Sequence, residues 1–268
     1  MLAVEEKKSL IEETLAKIIP EQNVPWNILY EAARYSLLNG GKRLRPILTL
    51  TVAEALGGAQ QDALHPACAI ELIHTYSLIH DDLPAMDNDD FRRGKPSLHK
   101  AYPEGHAILA GDYLLTLAFE TLTKSPGLTD GQKLSLIEVL SDKGGGKGMI
   151  GGQILDLEGG ATPLETIHQM KTGALISAAC EFGAIASGYP NRRLLALFGE
   201  KIGLAFQIID DLLDADNCEK VSYVAVKGEN ASRTEAQRLL DEAIDLLDPI
   251  AGKKPLIELA RTLVQRNY

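Results

Sequence analysis

Asp81, Asp82, Asp87, Asp89 and Asp90 fall within ten residues, in SLIHDDLPAMDNDDFRRGKPSLHK, Ser77 to Lys100. Carboxylates this close repel one another, so the fold must bring a positive charge to them. A second group, Asp210, Asp211 and Asp214, stands in GLAFQIIDDLLDAD. With Gln207 they occupy positions i, i+3, i+4 and i+7, one face of a helix. The residues between them, from Leu204 to Leu213, are apolar, so that helix is mostly buried. Carboxylates in such a place need cationic partners or they would neutralise. Either cluster alone would more commonly be a helix cap; the two together point to a bound cation.

The ligand type narrows the cation. Carboxylate oxygens without clustered His or Cys suit Mg²⁺ or Mn²⁺ rather than zinc. Magnesium takes one or two carboxylates, several waters and phosphate oxygens. Two acidic helices facing each other would therefore hold a polyphosphate. An EF-hand is excluded, because DNDDFRRGKPSL lacks the central glycine and the closing glutamate. Phosphate also wants direct cations. Lys42, Arg43 and Arg45 in NGGKRLRP, Arg92 and Arg93, and Lys171 beside Thr172 in HQMKTG are the candidates, although each alone is more often a solvated charge. GGGKGMIGG is not a P-loop, since Lys147 is followed by Gly148 and no strand precedes it. Its glycines suit close helix approach or a flexible turn.

The elements that must position these groups are helical. WNILYEAARYSLLNGG, HPACAIELIHTYSLIHDD, GHAILAGDYLLTLAFETLTK, RLLALFGEKIGLAFQIIDDLLDAD and EAQRLLDEAIDLLDPIAG repeat apolar residues every three or four positions. KVSYVAV, Lys220 to Val226, is a weak exception with strand character, too isolated to build a sheet. Breaks are expected at Gly40-Gly41, Gly57-Gly58, Pro96, Pro126-Gly127, the glycine-rich 144–160 stretch, Gly188 to Pro190 and Gly252. No linker divides the chain, so residues 1–268 read as one all-α domain. On a helix, His74, Ser77, Leu78 and Asp81 form one stripe, with Asp82 about 100° round. Pro84 disfavours helix for the residue before it. The chain should therefore distort after Asp82 and bring Asp87 back toward Asp81.

The net charge of −10 argues against nucleic acid as a partner, which leaves a basic footprint. Cys68, Cys180 and Cys218 are few and widely spaced, so neither a disulfide framework nor a zinc site is expected, and a reducing, cytoplasmic setting fits. MLAVEEKKSLIEETL is not a signal peptide. No apolar run reaches ~18 residues, so no membrane span is expected. The most apolar stretch, GALISAACEFGAIASG, carries Glu181.

In order along the chain, GGKRLRP, DDLPAMD with its RRG tail, GMIGGQILDL, KTG and FQIIDDLLD resemble the motifs of a trans-isoprenyl diphosphate synthase of the farnesyl and geranylgeranyl type. The resemblance covers about residue 25 to the C-terminus, and the four residues between Asp82 and Asp87 are similar to the bacterial and plant form. It implies a helical bundle around a deep central cavity, the isoprenoid synthase fold, usually as a homodimer. It implies head-to-tail condensation of an allylic diphosphate with isopentenyl diphosphate. Asp81, Asp87 and Asp210 resemble direct magnesium ligands, with Asp82, Asp211 and Asp214 as ligands or their supports. Arg92, Lys171 and Gln207 resemble contacts to the allylic substrate, and Thr172 would orient the developing cation. Lys42, Arg45, His74 and Arg93 resemble the isopentenyl diphosphate site. Tyr76 resembles the aromatic floor that stops elongation at fifteen carbons, which implies farnesyl diphosphate as main product and geranylgeranyl diphosphate as the alternative.

One departure stands out. The family usually follows its second aspartate motif with a glycine-lysine loop, whereas here ADNCEKVSYVAVKG runs almost directly to Lys220-Val221-Ser222-Tyr223, and Glu158 to Pro163 also looks short. A missing loop lysine would weaken activity. The motifs also separate this chain from two rivals. A terpene cyclase normally carries a mixed Asn/Ser/Glu second motif, unlike Asp210, Asp211 and Asp214. A non-catalytic partner subunit typically loses aspartates, and this chain keeps them.

Overall fold

A computed structural model describes residues 3–159, 162–213 and 222–265. Helices α1 (Val4–Ile18), α2 (Asn27–Leu37), α3 (Leu44–Ala55) and α4 (Gln60–Asp81) open the chain. A two-residue antiparallel pair follows, β1 (Phe91–Arg92) with β2 (Lys95–Pro96). Then come α5 (Leu98–Ala101), α6 (Glu104–Thr123), α7 (Asp130–Gly144), α8 (Met149–Glu158) and α9 (Leu164–His168). A π-helical turn, Gln169–Gly173, leads into α10 (Ala174–Ala186) and α11 (Arg192–Leu213). After residues 214–221 the described chain resumes with α12 (Tyr223–Lys227), α13 (Glu229–Leu246) and α14 (Lys254–Val264). The all-α expectation holds.

One sequence reading is sharpened and one needs correction. The segment with strand character is helical over Tyr223–Lys227, started by Ser222, whose hydroxyl accepts from the Ala225 N–H at 3.2 Å. A local cap outweighs the β-branched residues, and among the described residues no strand pairs with this segment. The glycine-rich 144–160 stretch is not a break throughout, because α8 runs straight through Gly151 and Gly152.

The core is built around α10 and α4. All thirteen residues of α10 are buried, as befits a helix apolar on every side. This is the stretch that carries Glu181, and it lies inside the bundle against α3, α4, α7 and α11. Among the described residues no helix is long and apolar enough to cross a membrane. α4 packs against α3, α6 and α10, so its C-terminal turns emerge from the middle of the bundle. That placement carries the first aspartates to the mouth of an interior space.

Candidate active site

A cavity of about 480 Å³ opens beside the last two turns of α4. Its polar lining comes from Arg45, His74, Asp81, Lys171 and Thr172. Its apolar lining comes from Leu115 on α6 and Met149, Ile150, Ile154 and Leu157 on α8, with Tyr76 on α4. Ile150, Ile154 and Leu157 recur at helical spacing, so α8 gives the cavity one continuous greasy wall. Two larger recesses, about 750 and 800 Å³, take no residue from either aspartate cluster. The first of them is lined largely by side chains already in ion pairs, among them Lys143, Arg192 and Arg193.

The first cluster folds as its sequence requires. α4 ends at Asp81, and the Asp87 N–H returns to donate to the Asp81 carbonyl at 2.8 Å. Asp81 and Asp82 are neighbours with different surroundings. Asp81 faces the cavity, and its carboxyl is pushed up to about 6 by burial, with Asp87 and Asp82 adding to the rise and Lys171 and Arg92 opposing it. Asp82 is buried and engaged: Arg92 Nε donates to it at 2.9 Å and Arg92 Nη2 also bonds it, while reaching Asp89 at 2.8 Å. Arg92 is thus oriented by two carboxylates and is near enough to Asp81 to oppose the rise of its carboxyl.

A basic group lies below them. Arg43 and Arg93 both adopt left-handed backbone, φ 49° and 54°, which non-glycine residues rarely do. One buried acid, Glu71, holds both. Arg43 Nη1 donates to it at 2.8 Å, and Arg93 Nη2 lies 3.8 Å away. Arg93 Nη1 also donates to the Gly40 carbonyl at 2.8 Å, and its guanidinium lies where a Cβ on Gly41 (φ 119°) would intrude at 2.8 Å. Only glycine serves there, for both backbone and space. Burial, reinforced by Arg45 and Arg93, drives His74 well below the usual imidazole range, so it is neutral at pH 7. Arg45 lines the cavity with a buried Nε that has no hydrogen-bond partner, and Asp210 on α11 acts on its charge. Lys42 is exposed, and Arg43 is buried as a structural group rather than a cavity cation.

Lys171 and Thr172 reach the cavity from the π-helical turn. π-turns insert one extra residue per turn and recur at functional sites. Lys171 Nζ donates to Asp156 on α8 at 2.6 Å. α8 comes this close because residue 152 is glycine: a Cβ there would stand 2.3 Å from the Lys171 backbone nitrogen and 2.8 Å from its Cα. Neither backbone can yield cheaply. Gly152→Ala is therefore expected to destabilise the fold by about 1–3 kcal/mol, as overpacking does, and to lower Tm in calorimetry. A Tm equal to wild type would show that α8 can retreat from the turn.

The second cluster sits at the end of α11. The Gln207 side-chain N–H donates to Asp211 Oδ1 at 3.1 Å, and the Tyr223 backbone N–H donates to Asp211 Oδ2 at 2.7 Å. His168 Nε2 lies 3.7 Å from the same oxygen. Asp211 thus ties α11 to α9 and α12. The Asp210 carboxylate, on the same helix, is near enough to Arg45 to favour its charged form. Asp214, and Lys220-Val221 of the shortened loop, lie outside the described residues.

Among the described residues no three acidic, imidazole or thiol groups converge tightly enough to enclose an ion. The donor set is carboxylate, and Asp81 is raised by burial and by neighbouring acids, so the site favours an arriving cation. Those features fit a hydrated magnesium ion that brings water and phosphate oxygens with it. Sequence reasoning passed over Glu71 and Asp156. Both carried a signal: Glu71 is a lone acid in the apolar run ACAIELIH, and Asp156 lies inside GMIGGQILDL.

The polyprenyl synthetase family model matches residues 26–225. The chain is 42% identical to the farnesyl diphosphate synthase of Micrococcus luteus, over 96% of this chain and 93% of that protein. It is 43% identical to the geranylgeranyl diphosphate synthase of Cyanophora paradoxa, over 98% of this chain and 95% of that one. This second alignment spans 286 positions, more than the 268 residues present here, so the relative carries segments this chain lacks. An apo crystal structure of an FPP/GFPP synthase from Zymomonas mobilis superposes with a TM-score of 0.91 at 40% identity, covering 97% of each chain. Its motifs, its fold and these relatives agree: the chain belongs to the polyprenyl synthetase family.

Proposed function

We propose that this prenyltransferase condenses isopentenyl diphosphate head to tail with dimethylallyl or geranyl diphosphate, releases pyrophosphate, and makes chiefly farnesyl diphosphate. The observation that carries the reading is one cavity with an acidic and basic mouth and an apolar wall. Diphosphates bind at such a mouth, and prenyl tails bury along such a wall.

Asp81, Asp87 and Asp210 would hold magnesium, with Asp214 a further candidate. The chemistry that ion supplies when bound is neutralisation of charge on the departing pyrophosphate. Asp82 and Asp211 act at one remove, the first by orienting Arg92 and the second by fixing Gln207 and α12. Arg92 and Lys171 bind the allylic diphosphate. For Lys171 this means exchanging Asp156 for phosphate oxygens. Arg45 and Arg93 bind the second diphosphate, with neutral His74 donating beside them and Lys42 at the rim. The Thr172 hydroxyl and the Gln207 amide turn their oxygens toward the allylic cation. Leu115, Ile150 and Ile154 keep water from quenching it. The rivals, a cyclase and a silent subunit, lack comparable support, since both acidic clusters and both basic groups are present.

Two copies are proposed to pair through α6 and α2, where Ile108, Leu109, Trp26 and Ile28 leave apolar surface exposed. A cytoplasmic, reducing setting suits the free, buried Cys68 and Cys180.

Purified protein, supplied with labelled isopentenyl diphosphate, magnesium and each allylic acceptor, should yield labelled prenyl diphosphate. No product with any acceptor would refute the reading. The two phosphate sites should also separate. Arg93→Ala or His74→Ala should raise KM for isopentenyl diphosphate about tenfold or more, as loss of a charge-assisted bond does. Lys171→Ala should instead raise KM for the allylic partner. Equal effects on both KM values from all three variants would overturn the assignment.

A further inference from the structure

The wall opposite α8 contains a contact chain that no motif describes. Tyr76 is buried, and its hydroxyl has no hydrogen-bond partner. Polar contacts therefore do not fix the ring; packing does. The aromatic neighbour is His80, edge-on at 5.7 Å between ring centroids and 80° between planes. His80 is in turn seated on α6. Its Nε2 lies 3.1 Å from the Ile108 carbonyl and 3.8 Å from Asp112 Oδ1. The imidazole occupies space that exists because residue 111 is glycine: a Cβ there would stand 2.2 Å from Nε2 and 2.5 Å from Cδ2. Tyr76, His80 and Asp112 all line the cavity.

We infer that His80, seated in the notch at Gly111, is a positioning residue for product length, acting through Tyr76. This rests on the proposed role of Tyr76 as the floor for the growing tail. The floor is then a two-helix device, with the aromatic ring on α4 and its brace set by α6. Unbracing the ring lets it turn aside and admits a longer tail. Crowding the notch shifts the imidazole and with it the ring.

The test measures product distribution with dimethylallyl diphosphate as acceptor, alongside kcat for the first condensation. His80→Ala should raise the ratio of twenty- to fifteen-carbon product by roughly fourfold for each methylene-sized space opened. His80→Phe, which keeps a ring against Tyr76, should restore the wild-type ratio. Gly111→Ala should change the ratio while kcat for the first condensation stays within about twofold, because a Cβ at residue 111 meets the imidazole of His80 and none of the side chains proposed to hold the diphosphates. In a Tyr76→Ala background, His80→Ala should add nothing, the mark of two residues acting as one unit. If Tyr76→Ala alters the ratio but His80→Ala and Gly111→Ala do not, the brace is refuted and the floor stands. Full additivity in the double variant also refutes the brace. If Tyr76→Ala alters nothing, the floor itself is refuted, and the brace with it.

Discussion

Asp81→Ala is expected to cut kcat by about 10²–10³-fold, the loss typical of removing one preorganised stabiliser of transition-state charge. Asp81 faces the cavity in which the proposed reaction would release pyrophosphate. Asp210→Ala should lose as much from the opposite helix. Asp82→Ala should behave differently, although it is the adjacent residue. Its carboxylate is committed to Arg92, so its loss should act chiefly on KM for the allylic diphosphate. Steady-state kinetics on the three variants checks this, and identical kcat losses for Asp81 and Asp82 would overturn the distinction. Full turnover in EDTA would end the metal reading altogether.

The second large effect is a change of product. Tyr76→Ala should move the main product from fifteen to twenty carbons or more, with modest loss of rate. Each buried carbon contributes ~0.8 kcal/mol. Room for two of the five carbons in another isoprene unit, ~1.6 kcal/mol, then shifts the partition more than about tenfold. Chromatography of the dephosphorylated products reads the result. A wild type that already makes mostly twenty-carbon product, or an unchanged pattern in the variant, would refute Tyr76 as the floor.

Much of this site was legible before any coordinates. Asp81 and Asp87 were expected to converge because Pro84 breaks the helix, and the Asp87 N–H does return to the Asp81 carbonyl. His74 and Asp81 share the cavity because seven-residue spacing puts them on one stripe. What stayed hidden depends on pairing between distant segments. Nothing local shows that Glu71 holds two arginines, that Asp156 receives Lys171, or that Gly111 makes room for His80. Tyr76 stands five residues before Asp81, about 140° round the helix from it. It reaches the cavity nonetheless, in a stretch of lining that also includes Ser77 and His80. KVSYVAV has β-branched residues but is too isolated to build a sheet, and its described part is helical over Tyr223–Lys227.

The π-helical turn at Gln169–Gly173 has a consequence for anyone editing this chain. It sets the angular phase between α10, locked in the core, and the side chains of Lys171 and Thr172. Excising Met170 alone would close that turn to ordinary helix, the inverse of the one-residue insertion that makes a π-turn. The segment before it would then be drawn one residue nearer to Lys171, whose backbone nitrogen and Cα are the atoms packed against Gly152. A graft from a relative must therefore take Leu164–Ala186 as one cassette, because a splice inside it would preserve every motif letter and lose the alignment that gives them meaning.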